Sequence, residues 1–124
     1  MRFNWKEFHK LAQFLSVYEG PEFDEEAGKR SAVSRCYFAA FCFARNFAES
    51  FEGFRPTHSA KDHKLLREHF RSLGRIKIAF LLDDLRGWRN FCDYDDKVKD
   101  LDQKVRASLK RSQKVFGLLE RSKS

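Results

Sequence analysis

Long apolar runs are the first thing missing from these 124 residues. No stretch approaches the roughly 20 uninterrupted apolar residues that a membrane span needs. The opening Met1-Arg2-Phe3-Asn4-Trp5-Lys6-Glu7 lacks the apolar region of a signal peptide, so a cytoplasmic protein without a membrane partner is expected. Cysteine is scarce and odd in number. Cys36, Cys42 and Cys92 show neither CxxC pairing nor zinc-ligand spacing, which leaves small buried thiols in a reducing compartment. Only two Pro and six Gly interrupt the chain. Sustained period-two alternation is absent, as are Asn-Gly and Asp-Gly hairpin signals, which argues against a sheet. The phosphate-loop, GxGxxG, GxSxG and HExxH signatures are missing too, and no cofactor or metal is expected.

What is present is material for one helical core. Hydrophobic residues make up 42%, aromatics 15% and charged residues 35%, enough for a folded interior under a solvated surface. The length predicts one domain over residues 1–124, with a basic C-terminal tail from about 120. Asn4 is a candidate cap for a first helix with Trp5, Phe8, Leu11, Ala12, Leu15 and Tyr18 on one face. Gly20-Pro21 ends it, and Glu22, Asp24, Glu25 and Glu26 suit the positive start of a second helix. That helix runs through 31–51, with Gly53 as its stop. Ser59, with Asp62 three residues on, reads as the cap of a third helix near 60–72 that buries Leu65, Leu66, Phe70 and Leu73. A fourth, near 75–92, buries Ile76, Ile78, Ala79, Phe80, Leu82, Leu85 and Trp88. Asp95 or Asp96 caps a last helix reaching about Leu119, with Val98, Leu101, Val105, Ser108, Ser112, Val115 and Leu119 as its stripe. Short links between such helices predict an all-α, up-and-down antiparallel bundle of four to five helices.

The second helix has almost no polar face between Arg35 and Arg45. A helix apolar all round is enclosed by its own chain or covered by a partner. Tyr37, Phe38 and Phe41 are accordingly candidates for a homodimer interface, with a central core helix as the alternative.

Chemistry concentrates near residue 90. Arg86, Arg89, Asn90 and Asp93 share one side of the fourth helix at three-and-four spacing. Guanidinium forks match phosphate oxygens, and Asp93 can pair with Arg89 one turn away. An ordinary salt bridge at a helix end reads the same residues without a ligand. His63 and His69 are about 240° apart around the third helix, so they do not hold a metal from one face. Asp83-Asp84 and Asp95-Asp96 point their carboxylates in different directions, which suits solvation or capping better than a divalent metal. Lys104, Arg106, Lys110, Arg111, Lys114, Arg121 and Lys123 oppose only Glu120 along the last helix. Within a formal net charge of +7, this is an RNA-facing stripe or a solvated helix face.

Two segments together resemble the HEPN superfamily of small helical bundles. Arg30-Ser31-Ala32-Val33-Ser34-Arg35-Cys36-Tyr37-Phe38-Ala39-Ala40-Phe41 is similar to the S-R-x-Y-Y-A-x-F helix of its prokaryotic branch. Leu85-Arg86-Gly87-Trp88-Arg89-Asn90-Phe91-Cys92-Asp93-Tyr94-Asp95 is similar to L-R-x-x-R-N-x-x-D-Y-D, and His63 stands where that branch often has histidine. The resemblance implies a bundle that commonly dimerises, in which many members are metal-independent endoribonucleases with an Arg-x4–6-His motif. Several of those are toxins encoded beside a nucleotidyltransferase-fold antitoxin. It makes Arg89 the motif arginine and Asn90 the polar residue after it. Asp93, Tyr94, Asp95 and Asp96 fill the window of the motif histidine, position 38 is Phe in place of Tyr, and Cys42 stands where some relatives have His. The expectation is therefore a toxin–antitoxin or defence protein that binds or cleaves RNA as a homodimer. Arg89, Asn90, Asp93 and Tyr94 would form its site, and Arg86, Arg35, Lys110 and Arg111 would bind phosphate. The alternative is a non-catalytic adaptor for a nucleotidyltransferase-like partner or a nucleotide.

Overall fold

The computed structural model describes residues 2–122 and is all-helical. Its elements are α1 (Lys6–Ser16), α2 (Glu25–Phe51), α3 (Asp62–Ser72), α4 (Ile76–Tyr94) and α5 (Leu101–Arg121). Among the described residues no helix is long and apolar enough to cross a membrane. Lys123, part of the basic stripe read from sequence, lies outside the described residues.

Local chemistry sets most helix ends. Asp24 caps α2, its carboxylate accepting from Ala27 N–H at 2.7 Å, with Glu25 and Glu26 in the first turn where the helix dipole favours them. Asn4 accepts from Lys6 N–H at 3.2 Å and so serves α1. Gly74 closes α3 at φ +77. Its N–H reaches Arg71 O, and Arg75 N–H reaches Phe70 O, the paired bonds of a glycine-terminated helix. Gly28 acts through its missing side chain: a Cβ there would stand 2.7 Å from Leu15 O, so glycine lets α1 lie close to α2.

Two expected caps are revised. Ser59 does not cap α3 as read; the helix begins later, at Asp62, whose side chain turns back to hold the preceding loop. Asp95 and Asp96 do not start α5. Their main-chain carbonyls receive the Arg30 guanidinium instead, and α5 begins after Asp100, at φ 53.

Helix α2 is the axis of the fold, with α1, α4 and α5 packed around it and α3 against α4. Val33, Cys36, Tyr37, Ala40, Phe41, Ala44, Phe47 and Ala48 are buried within this one chain. Its all-round apolarity is thus met by intramolecular cover, the central-helix alternative. Tyr37 and Phe41 lie in the chain's own core, and of the three candidate interface residues only Phe38 keeps part of its surface. Ser108 and Ser112 are fully buried on α5. Small residues at those positions leave room for α2, whose Cys36 faces Ser112, and the Ser112 hydroxyl donates to Ser108 O at 2.9 Å.

Several predicted core positions face outward. Leu11 on α1, Leu65 and Leu73 at α3, and Ile76 and Phe80 on α4 are exposed, Phe80 at 61%. In their place His9, Asp62, Arg67 and Cys92 are buried. The reason is that their polar groups are answered: His9 Nε2 lies 3.1 Å from Leu109 O on α5, and Arg67 Nη1 donates to His63 O one turn back at 2.9 Å while its Nε lies 3.5 Å from Asp83 on α4.

Candidate nucleic-acid interface

The last turns of α4 present Arg86, Arg89, Asn90 and Asp93 at helical spacing. Arg89 is held from several sides. Its Nε stands 2.8 Å from Asp93 Oδ2, a charge pairing in which the N–H is not aimed at the oxygen, and its Nη1 donates to Asn90 Oδ1 at 3.1 Å. The guanidinium packs over Phe38 at 5.1 Å and Tyr94 at 5.6 Å. Ser34 Oγ donates to the same Asp93 oxygen at 3.3 Å, so α2 helps to fix the pair. Arg86 differs: half-buried, it makes no hydrogen bond or ion pair among the described residues.

Behind these arginines lies a pair that spacing alone did not connect. The Tyr37 hydroxyl is hydrogen-bonded to His63 Nδ1, and the imidazole stacks on Phe41 at 4.2 Å. Burial, and then the positive charges of Arg86, Arg89 and Arg67, hold the His63 pKa below its ordinary value. Burial pushes the Tyr37 phenol upward against the opposing pull of the same three arginines. The phenol therefore keeps its proton near neutral pH. His63 is its one hydrogen-bond partner among the described residues, so the phenol donates to Nδ1 and the ring carries its own proton on Nε2. His63 is thus a neutral donor beside three cations.

A second feature adjoins this cluster. The side of α2 left open by its neighbours carries Arg35, Phe38, Cys42 and Arg45, spaced three and four apart. With Trp5, Phe8, Phe41 and the loop through His58 and Ser59, they line an open groove of about 510 Å³. Arg35 lies over Phe8 at 5.0 Å and Phe38 at 5.5 Å, and Arg45 over Trp5 at 5.7 Å. Neither arginine has a carboxylate partner among the described residues. Phe38 lies within cation–π distance of both Arg35 and Arg89, so groove and cluster are neighbours.

Of the residues chosen from sequence, Arg35, Arg86, Arg89, Asn90, Asp93 and Tyr94 thus belong to this end of the molecule. Lys110 and Arg111 do not join it. Arg111 pairs with Asp84 at 3.2 Å and stacks on Trp88 at 4.6 Å, on the α4–α5 side, and Lys110 is exposed on α5. Cys36, which meets α5, and Phe38 are about 200° apart around α2, so α5 lies away from the groove. Sequence reasoning passed over Arg45, Trp5, Phe8, Arg67 and His58. The one available signal was the 35-38-42-45 spacing within an apolar helix. Among the described residues no three His, Cys, Asp or Glu side chains gather as metal ligands.

No family model matches the chain, and no solved structure matches it. It is similar to an uncharacterized protein of Methanocaldococcus jannaschii, 32% identical over 113 residues. That match covers 77% of this chain and 63% of the archaeal protein, so the chain spans less than two thirds of its relative.

Proposed function

We propose that the protein binds the phosphodiester backbone of RNA at the end of α4. The observation that carries this reading is Arg86, a half-buried arginine with no anionic partner among the described residues, beside Arg89, whose direction is already set by Asp93 and Asn90. A preoriented guanidinium such as that of Arg89 binds phosphate oxygens with little ordering cost, and Arg86 adds a second, uncommitted fork one turn away. His63 adds a neutral N–H donor, and the HEPN resemblance supports the same ligand. Binding fits better than cleavage. A 2′-hydroxyl needs a base to take its proton, and His63 Nδ1 is occupied by the Tyr37 hydroxyl. The reading needs one copy of the chain. A homodimer, expected from the resemblance, would use surface other than Tyr37 and Phe41, which are buried.

The test is fluorescence anisotropy of a labelled RNA oligonucleotide against wild type, Arg86→Ala and Arg89→Ala. Two phosphate contacts on a single strand give a fall in affinity of about sevenfold between 50 and 200 mM salt. Each variant should flatten that slope and weaken binding. Equal affinity in all three proteins would sink the proposal. RNA incubated with purified protein should stay intact; degradation lost in Arg89→Ala would replace binding by cleavage.

A further inference from the structure

Resting on that reading, we propose that the open stripe of α2 takes the unpaired bases of a single-stranded nucleic acid, stacking them on Trp5, Phe8 and Phe38 while Arg35 and Arg45 hold the phosphates between them. The groove alternates the two chemistries that such a strand offers. Its ring faces accept bases without regard to sequence, and its arginines track the backbone. The charge is uncommitted. Lys29, Arg30, Arg75, Arg89 and Arg111 are each paired with a carboxylate, whereas among the described residues Arg35 and Arg45 rest only on aromatic rings and, for Arg45, on the Asn46 amide. The one carboxylate lining the groove is Asp62. Its oxygens already accept from Thr57 N–H at 2.8 Å, Thr57 Oγ at 2.7 Å and His58 N–H at 2.9 Å; its charge remains, but Arg35 and Arg45 outnumber it and the groove lining stays net positive. The same bonds hold His58 at φ 60, a conformation that costs a non-glycine residue and recurs at binding sites. A duplex keeps its bases stacked inside and offers the rings nothing. An acidic peptide would answer the arginines but leave the rings unused. Phe38, shared by Arg35 and Arg89, makes the groove a continuation of the α4 site.

The experiment uses the full chain with Trp88→Phe, which leaves Trp5 as the sole tryptophan. Three probes are titrated: a twelve-nucleotide oligouridylate, the matching deoxy-oligomer, and an RNA duplex of equal length. Single strands should quench Trp5 emission with the same midpoint that anisotropy reports, and the duplex should bind about tenfold more weakly without quenching. Arg35→Gln and Arg45→Gln, both at partly exposed sites, should each weaken single-strand binding several-fold. Four phosphate contacts in place of two steepen the salt response to about 50-fold between 50 and 200 mM. Lys110→Ala should change nothing. The ratio of ribo- to deoxy-oligomer affinity tells which strand is the source, and either supports the groove. Equal binding of duplex and single strand without quenching, but still weakened by Arg89→Ala, overturns the groove and leaves the α4 site standing. No binding by any probe removes both.

Discussion

Removing the Asp62 carboxylate should unfasten the loop that walls the groove. Asp62 is buried and accepts three hydrogen bonds, from Thr57 N–H, Thr57 Oγ and His58 N–H. Bonds to an ionised acceptor are worth about 1.5–3 kcal/mol where water is excluded. Thr57 and His58 are themselves exposed, so water can replace part of each bond, and about 1 kcal/mol apiece is the appropriate scale. Asp62→Ala should then cost about 3 kcal/mol in urea unfolding. For a chain of this size that lowers Tm by about 4 °C per kcal/mol, or ~12 °C. Acid unfolding supplies a second reading. Burial raises the Asp62 pKa, but the hydrogen bonds from Thr57 and His58 outweigh it, and the group ends below its ordinary 3.8. The unfolded chain therefore binds the proton first. Stability from this group is fully present above 3.8 and is lost as pH falls through the lower folded value. The variant should lack that part of the acid limb. A loss under 1 kcal/mol, with an acid limb like that of wild type, would refute the idea that this carboxylate holds the loop.

Other consequences are more local. His63 titrates below its ordinary 6.5; its folded pKa is the lower one, so the stability tied to it is complete above 6.5 and declines as pH falls toward the folded value. Imidazole shifts followed by NMR should show a midpoint under 6.5, and a midpoint above it would contradict the burial of the Tyr37–His63 pair. Burial pushes the Cys36 thiol up to about 12 against the opposing pull of the Ser112 hydroxyl, and pushes Cys92 to about 11. A colorimetric disulfide reagent should therefore find Cys36 and Cys92 only after unfolding, whereas Cys42 lines the open groove; Cys36 or Cys92 reacting at once in native protein would count against this packing. Ser108 Oγ is buried and has no hydrogen-bond partner among the described residues. Ser108→Ala should raise the unfolding free energy by about 1 kcal/mol, whereas a loss of that size would mean that the hydroxyl is satisfied.

Legibility followed local chemistry. The acidic run Glu22, Asp24, Glu25 and Glu26 marked the start of α2, and Gly53 its end, because the helix dipole and a positive-φ glycine act within a few residues. The α5 stripe through Ser108 and Ser112 was visible because period alone carries it, whatever the polarity of its members. His9 and Arg67 were not visible as core residues. Their polar groups are answered by Leu109 O and His63 O, partners from other elements or a neighbouring turn that no pattern of apolar letters announces. Ile76 and Phe80 misled for the opposite reason: α4 begins where cover exists on one side only, so apolar residues there stay in solvent. The α4 cluster was read from its spacing, but its coupling to Tyr37 and His63 needed α2 and α3 brought together.

The open stripe of α2 also bears on what can cover it. A helix rich in Phe, Ala and Cys invites a second copy of itself, yet its apolar faces are already occupied by α1, α4 and α5. What remains uncovered carries Arg35 and Arg45. A two-fold interface built on this stripe would set the same patch against itself and bring like charges together. Each guanidinium would also be desolvated without a carboxylate in return, at a cost of several kcal/mol. The groove is therefore a poor surface for self-association and a favourable one for a polyanion. Where a protein partner needs apolar area, this stripe offers rings flanked by cations; a strand of bases and phosphates answers both.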